Sequence, residues 1–302
     1  PMVLDETGCL FLSKYYDFQS RLAKNICQRF GTDVSPMDGD FVQKGIKEAF
    51  KGQDPVHTAC QKEAVKKALT RNLTLISGGP GTGKTHITNI IRDILRAFSR
   101  QKGGDPPRIL SLAPTGKAAS RLRDGLTIHS ALKPLKNGPG FFHNKSTPLG
   151  ADMVIIDEAS MIDLALMTRL MEAIPLHARV ILLGDANQLS PVQAGAVFAE
   201  LCQTQGLESS LVFLAHNFRS GGKSGLERLA RAVREKDVHG VKKVLETKNL
   251  PDIKFVDTNK EGFSDRILEQ SIIDGYDRFL SKDSLFSSLG ELDGFRILCA
   301  HN

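Results

Sequence analysis

A glycine-rich segment near residue 80 combines the residue types that bind a polyphosphate. Residues 78–85 read GGPGTGKT and fit the pattern G-x-x-x-x-G-K-[ST] without a mismatch. Glycines let backbone N–H groups approach phosphate oxygens, and a helix beginning directly afterwards adds partial positive charge. Lys84 can supply a full charge to the β- and γ-phosphates, and the Thr85 hydroxyl can bind Mg²⁺. The segment predicts a nucleoside triphosphate site made by Gly79, Pro80, Gly81, Thr82, Gly83, Lys84 and Thr85.

Two adjacent carboxylates follow a second apolar run, at residues 153–156. Asp157 is placed to hold the hydration shell of Mg²⁺, and Glu158 is placed to orient or deprotonate an attacking water. This pair favours hydrolysis over phosphoryl transfer to a small molecule. Gln188 follows the run at 181–183 and can sense a γ-phosphate, and Arg219 can stabilise charge on the transferring phosphoryl group. Taken alone, either of these two residues could be an ordinary surface residue.

The elements that must position these residues are short apolar strands alternating with helices. The strand candidates, besides the one before the glycines, are 108–113, 153–157 and 179–184. This rhythm is typical of an α/β fold with a parallel sheet flanked by helices. Loops at the carboxyl ends of parallel strands converge, so the sequence predicts that the glycine-rich loop, the acids and Gln188 share one crevice.

The stretch 115–145 is basic. It carries six Lys or Arg residues against one acid, Asp124, with Phe141, Phe142, His129 and His143 interleaved. Basic groups beside stackable rings suit single-stranded nucleic acid. A solvated basic surface with two core phenylalanines explains the segment equally well.

Composition sets broad limits. The 302 residues are 41% hydrophobic and 25% charged, with net charge +6, which is ordinary for a soluble globular protein and only mildly basic. Five scattered cysteines form no CxxC pair, so we expect no zinc or iron–sulfur site and expect reduced thiols in the cytoplasm. No apolar run is long enough to span a bilayer.

The chain divides into three parts by pattern. We predict a small, mainly helical N-terminal domain at 1–52 that opens with a strand pair, a nucleotide-binding domain at 53–208, and a partial second αβ domain at 209–302. In the last part, strands are predicted at 253–257 and 295–300. Because the chain stops directly after an apolar strand, it is interpreted as a fragment of a longer protein, truncated at both ends.

Six segments occur in the order of the helicase motifs of superfamily 1: GGPGTGKT, LAPTGKAA, TIHSALK, IIDEASMID, LLGDANQLSPVQAG and HNFRSGGKSG. Their wording resembles the RecD family, the alpha subunits of exodeoxyribonuclease V. The opening PMVLDETGCLFLSKYYDFQSRLAKN is also similar to the RecD segment that precedes the helicase core. The resemblance covers nearly the whole chain.

The resemblance implies two RecA-like domains that close on ATP–Mg²⁺ and drive 5′ to 3′ movement along single-stranded DNA in double-strand break repair and recombination. Gln61 would read the adenine, although by position alone it could be plain surface. Lys84 and Thr85 would bind the phosphates and Mg²⁺, Asp157 and Glu158 would serve the metal and the water, Gln188 would couple the γ-phosphate to DNA, and Arg219 would reach in from the second domain. The implied DNA contacts are Pro114, Thr115, Lys117, Thr127 and His129. RecB- and RecC-like subunits are the implied partners in a bacterial cytoplasm.

The sequence does not fit two other classes of phosphate-loop enzyme. A GTPase needs an N-K-x-D guanine reader, whereas Asn259-Lys260 is followed by Glu261 and Gly262; a small-molecule kinase does not explain LAPTGKAA or GDANQLSPV. An ATP-gated subunit that binds single-stranded DNA without unwinding it stays open. The later helicase motifs are absent from the chain, so we expect this fragment to bind ATP–Mg²⁺ weakly and to show little DNA-stimulated hydrolysis.

Overall fold

The computed structural model divides into two compact units, Pro1–Glu227 and Arg228–Asn302. The residues that the structure describes are 2–6, 8–30, 37–136, 138–188, 195–218, 224–247, 250–255, 265–281 and 295–297. Among these residues, no helix is both long enough and apolar enough to cross a membrane.

The first unit begins with a hairpin and three helices. The elements are β1 (Met2–Leu4), β2 (Leu10–Leu12), α1 (Ser13–Phe30), α2 (Gly39–Ala49) and α3 (Pro55–Thr70). The two strands pair antiparallel, which confirms the predicted opening strand pair. Asp54 caps α3 by accepting hydrogen bonds from the backbone N–H groups of Val56 and His57, as expected for an Asp-Pro helix start.

A six-stranded parallel sheet forms the centre of this unit. Its strands and the helices between them are β3 (Leu73–Gly78), α4 (Lys84–Gln101), β4 (Ile109–Ala113), α5 (Gly116–Ala119), β5 (Gly125–Thr127), α6 (Ile128–Leu132), β6 (Met153–Ile156), α7 (Leu164–Ala173), β7 (Arg179–Gly184), α8 (Val197–Gln203) and β8 (Leu211–Leu214). The strand order is β5-β4-β6-β7-β3-β8. The predicted α/β class with a parallel sheet is therefore confirmed.

Helices cover both faces of the sheet, which explains why its central strands are apolar throughout. All six residues of β3 and all six of β7 are buried. Side chains on one face pack with α1, α6, α7 and α8, and those on the other face pack with α2, α3 and α4. Strands buried on both faces have continuous apolar runs rather than alternating ones. The N-terminal helices thus belong to the same unit as the sheet, on opposite faces of it.

The strand at 211–214 lies in this sheet. It pairs in parallel with β3, whereas the pattern of the sequence assigned it to a second domain beginning at 209. The division between the compact units comes later, after Glu227. The sequence of a four-residue apolar strand does not indicate which sheet it joins, so its domain is known only once its pairing with neighbouring strands is known.

The regular secondary structure described in the second unit is helical. Helix α9 (Gly225–Arg234) crosses the division, and α10 (Val238–Glu246) and α11 (Asp265–Leu280) follow. Of the two strands predicted here, the described parts, 253–255 and 295–297, have no regular secondary structure. Asp237 caps α10 by accepting a hydrogen bond from the Gly240 N–H.

A row of polar side chains on α1 fixes that helix to α7. Arg21, Asn25 and Arg29 are spaced four residues apart, so they share one helix face. Arg21 forms a bidentate ion pair with Glu172, in which Nη2 and Nε donate to the two carboxylate oxygens at 2.5 and 2.8 Å. The Asn25 side-chain amide donates to the Met171 carbonyl.

Arg29 is the fully buried member of this row. Its guanidinium donates to the Asn25 side chain and to the carbonyls of Met171, Ile174, Pro175 and Ala178. Two of these carbonyls belong to the end of α7, where the helix cannot satisfy them itself. Burial lowers the pKa of Arg29 to about 10, so the side chain stays charged at neutral pH.

We expect Arg29→Met to destabilise the chain by at least about 2 kcal/mol, because each buried acceptor left without a donor costs roughly 1–3 kcal/mol. Urea unfolding measures the effect. Arg21→Met is the matched control on the same helix face; its ion pair is partly exposed and its loss leaves no buried carbonyl without a donor, so its removal should cost less than about 1 kcal/mol. Equal midpoints for the two variants would contradict the assignment of Arg29 as the main link.

Candidate nucleotide site and adjoining loops

The glycine-rich loop joins β3 to α4 as the sequence predicts. Gly81 and Gly83 have φ values of 80° and 89°, and Gly83 is the residue that precedes the first turn of α4. Thr82 is buried and donates its hydroxyl proton to the Gly79 carbonyl at 2.8 Å. The loop is therefore a tight turn that is closed by this internal hydrogen bond. It leaves the first N–H groups of α4 available to an anion.

Lys84 and Thr85 occupy the first turn of α4. The Lys84 ammonium donates to the carbonyls of Gly78, at 2.5 Å, and Gly79, at 3.1 Å. The Thr85 side chain is exposed. Both residues lie at the mouth of the loop, where a flexible ammonium and a hydroxyl can reach a polyphosphate and its cation.

Gln61 supports this loop from α3. It is only 3% exposed, and its amide nitrogen donates to the Thr82 carbonyl at 3.0 Å. A Cβ added at Gly83 would lie against the same nitrogen. Gln61 is thus buried under the loop, which excludes the alternative of a plain surface residue.

A cavity of about 280 Å³ opens beside Gln61 and is lined by aromatic rings. His57 and His216 stack face to face with their centroids 4.0 Å apart, and Phe218 meets His216 edge on at 4.5 Å. The Phe218 N–H donates to the Gly81 carbonyl at 2.9 Å, which ties the cavity wall to the glycine-rich loop. Flat rings and one amide are a suitable lining for a purine base.

Asp54 anchors the outer end of the stack. Its carboxylate lies 3.3 Å from His57 Nδ1. The backbone N–H groups of Val56 and then His57 lower the pKa of Asp54. The carboxylate therefore stays charged and keeps the start of α3 in place.

The two predicted acids follow β6. Asp157 accepts a hydrogen bond from the Glu158 N–H at 2.9 Å, and its own N–H donates to the Leu112 carbonyl on β4. Glu158 has a φ of 52°, a left-handed conformation that is uncommon for a residue with a side chain. Both side chains are partly buried. The backbone aims the two consecutive carboxylates differently, which suits separate roles.

Hydrogen bonds connect three loops at the carboxyl edge of the sheet. After β7, the Ala186 N–H donates to Ser77 Oγ on β3 at 3.0 Å. Gln188 accepts a hydrogen bond from Ser160 Oγ, also at 3.0 Å, and Ser160 belongs to the short turn after the two acids. Because β7 lies between β3 and β6, its loop contacts the loops on both sides. The sequence did not indicate Ser77 or Ser160.

The residues expected to meet DNA lie at the ends of β4 and β5, two neighbouring strands. Thr115 and Thr127 each use the side-chain oxygen to cap a helix, accepting from the Ala118 and Ser130 N–H groups. Pro114 is partly buried, whereas Lys117 and His129 are exposed. The five residues thus follow two neighbouring strands, and β4 lies next to β6, the strand that precedes the acids. Arg219 lies outside the described residues.

The basic segment ends in a small hairpin that separates its two phenylalanines. Pro134 bridges to Phe141, and the Phe142 N–H donates to the Lys133 carbonyl at 2.8 Å. Phe141 packs on the core and stacks against Arg169, whereas Phe142 is 50% exposed with the Lys133 ammonium 5.8 Å from its ring centre. Phe141 is therefore a core residue, as the interpretation of a solvated basic surface expects. Phe142 is not, and its exposed ring beside a lysine is the arrangement that the nucleic-acid interpretation expects.

Comparison with known proteins gives consistent matches. A family model described as an AAA domain matches residues 61–194. The RecBCD enzyme subunit RecD of Mycolicibacterium smegmatis is 33% identical over 270 residues, covering 80% of this chain and 47% of that protein. The ATP-dependent RecD2 DNA helicase of Deinococcus radiodurans is 34% identical over 229 residues, covering 75% of this chain and 30% of that protein.

Among solved structures, the Pif1 helicase from Candida albicans matches with a TM-score of 0.41 and 23% identity, covering 58% of this chain and 43% of that chain. The chain spans about half the length of the RecD relatives that it matches first.

We expect Gly83→Ala to weaken ATP binding roughly tenfold or more, since positive φ costs a residue with a Cβ about 1–2 kcal/mol and 1.4 kcal/mol is tenfold. The new methyl group would also push against Gln61. Titration with a fluorescent ATP analogue measures the loss. Gly39→Ala is the matched control, because a Cβ there meets nothing within 4 Å. Equal affinities in the two variants would show that this turn does not shape the site.

Proposed function

The chain belongs to the RecD family of superfamily 1 DNA helicases, and from this premise we propose that it hydrolyses ATP to move 5′ to 3′ along single-stranded DNA. The observation that carries the proposal is the pair of hydrogen bonds from the loop after β7, to Ser77 on one side and to Ser160 on the other. They join the elements that would bind the triphosphate to those that would hydrolyse it.

The glycine-rich loop and the start of α4 would hold the phosphates. Lys84 would exchange its two carbonyl acceptors for phosphate oxygens, a change that its flexible stem permits. Thr85 and Asp157 would hold Mg²⁺, since a hydroxyl and a carboxylate are oxygen ligands of the kind this ion prefers. When bound, Mg²⁺ neutralises charge on the β- and γ-phosphates.

Glu158 would act as the base that orients or deprotonates the attacking water. Its left-handed backbone fixes the direction in which the carboxylate leaves the strand end. Gln188 would sense the γ-phosphate, and its bond to Ser160 would pass a shift of the amide to the turn after the two acids. Arg219 would complete the charge stabilisation on the phosphoryl group.

The aromatic cavity beside Gln61 would receive the adenine. The stacked pair of His57 and His216 and the edge-on Phe218 supply its walls. Because one N–H of the Gln61 amide is used by the Thr82 carbonyl, the second N–H and the amide oxygen are left for the base. One amide would then both hold the phosphate loop and select the base.

Single-stranded DNA would lie along the surface formed by the ends of β4 and β5 and the hairpin after α6. Exposed Lys117 and His129 would meet phosphates, and the exposed Phe142 ring would stack on a base. The helix starts capped by Thr115 and Thr127 would present backbone N–H groups to phosphates.

The assembly would follow that of the relatives. Because RecD of Mycolicibacterium smegmatis is named as a RecBCD enzyme subunit, we propose RecB- and RecC-like partners, a role in double-strand break repair and recombination, and a cytoplasmic location. We also propose that the second unit, Arg228–Asn302, contributes to a second RecA-like domain.

Lys84→Gln tests the hydrolytic site. We expect ATP turnover, measured with and without single-stranded DNA, to fall about 100-fold or more, the scale of losing one charge-stabilising donor from a transition state. Lys51→Gln, at an exposed lysine shortly after the end of α2, is the control and should turn over ATP normally. Unchanged turnover in Lys84→Gln would refute the nucleotide assignment.

Phe142→Ala tests the DNA surface. We expect affinity for a short oligothymidylate to fall about 5- to 150-fold, because stacking on one base is worth roughly 1–3 kcal/mol. Fluorescence anisotropy measures it. Phe213→Ala removes a ring of similar exposure, 54%, from the edge strand β8 and should leave the affinity unchanged. The assignment fails if the two variants bind DNA alike.

A further inference from the structure

Arg92 is a buried charged residue in the helix that begins with the phosphate-binding turn. It lies two turns after Lys84 on α4 and is only 3% exposed. A buried guanidinium usually requires strong partners, because removal from water penalises its charge. Its partners show which parts of the chain it holds together.

The guanidinium connects α4 to two other elements. One terminal nitrogen donates to Ser111 Oγ on β4 at 2.7 Å and to the Arg123 carbonyl at 2.8 Å. The other terminal nitrogen forms an ion pair with Asp124 at 3.1 Å. Arg123 and Asp124 form the turn between α5 and β5. The side chain therefore reaches from the nucleotide helix to the segment proposed to meet DNA.

The turn at residues 123–125 that Arg92 contacts is tight, and few other backbone conformations or larger side chains would fit it. Asp124 has a φ of 56°. At Gly125, a Cβ would collide with the Ala119 carbonyl and lie 2.8 Å from Leu122 Cβ. The turn thus fixes the spacing between α5 and β5. Thr115 and Lys117 precede it, and Thr127 and His129 follow it.

The surroundings of Arg92 suit an arginine better than a lysine. Burial lowers the pKa of Arg92, the neighbouring Arg96 lowers it further, and Asp124 opposes both. The Arg92 Nε atom is buried and has no hydrogen-bond partner among the described residues. A lysine has only one nitrogen, whereas the fork of Arg92 divides the hydroxyl, the carbonyl and the carboxylate between two terminal nitrogens, so a lysine would hold the turn less well.

We propose that Arg92 is a positioning residue that couples nucleotide binding to DNA binding. Through Ser111 and the 123–124 turn, it holds the surface formed by residues 114–129 in a fixed relation to α4, so a displacement of α4 by the triphosphate reaches the DNA surface. This inference rests on the proposed function and adds the connection through which the two sites communicate.

The test measures coupling rather than activity. The affinity for oligothymidylate is measured with and without a nonhydrolysable ATP analogue, and the ratio of the two dissociation constants is the coupling factor. Couplings of this kind are typically about 5- to 150-fold. We expect Arg92→Met to bring the ratio to within about twofold of one, with the affinity for the analogue alone unchanged. Arg92→Lys and Asp124→Asn should give intermediate ratios.

Two controls separate positioning from general damage. Arg100→Met changes an exposed arginine near the end of the same helix and should retain the full ratio. Asp124 is 74% exposed in its side chain, so Asp124→Asn should remain folded, which circular dichroism verifies, even if Arg92→Met does not fold.

The outcomes are distinct. A full coupling factor in folded Arg92→Lys and Asp124→Asn overturns the inference while leaving the proposed function intact. If Arg92→Met weakens oligothymidylate binding equally with and without the ATP analogue, the coupling factor is unchanged. Arg92 then has a structural role only, and this result also overturns the inference. Absence of coupling in the unsubstituted chain overturns the inference, whereas absence of nucleotide binding contradicts the proposed function itself, and the inference falls with it.

Discussion

The structure depends on the adjacency of β3, β7 and β6 in a parallel sheet. Because parallel strands end at the same edge, the loop after β7 necessarily lies between the phosphate-binding turn and the two acids. The bonds from Ala186 to Ser77 and from Ser160 to Gln188 then fix the three loops relative to one another. Neither bond would form if the strand order placed β7 at an edge.

Two buried arginines extend this arrangement to the helices. Arg29 joins α1 to the end of α7 through backbone carbonyls, and Arg92 joins α4 to β4 and to the following turn. Both guanidinium groups use the planar fork to serve several acceptors at once, most of them carbonyl oxygens. Apolar packing alone would bury the same helices but would leave their rotation and axial position less well defined.

Much of this architecture could be predicted because it depends on local pattern. Continuous apolar runs predicted β6 and β7, and the glycine-rich pattern placed the start of α4 correctly. The three-residue strand β5 is too short to show a period, and β8 was assigned to the wrong sheet because pairing is not encoded locally. For a related reason, the sequence does not predict the hydrogen bonds of Ser160, Ser77 and Arg92. Their partners lie 19 to 109 residues away and are selected by strand register.

The chemistry of the connecting bonds gives the molecule two different sensitivities to its surroundings. The link from Ser160 to Gln188 joins a hydroxyl to an amide, and neither group carries a charge that counterions could weaken. The link from Arg92 to Asp124 joins two full charges, and because the carboxylate is open to solvent, counterions can weaken the attraction in part, although the 3.1 Å separation is well below the screening length of about 10 Å at 0.1 M. Rising ionic strength would therefore weaken the ion pair between Arg92 and Asp124 modestly, while the bond from Arg92 to the Arg123 carbonyl and the bond from Ser160 to Gln188 would change little.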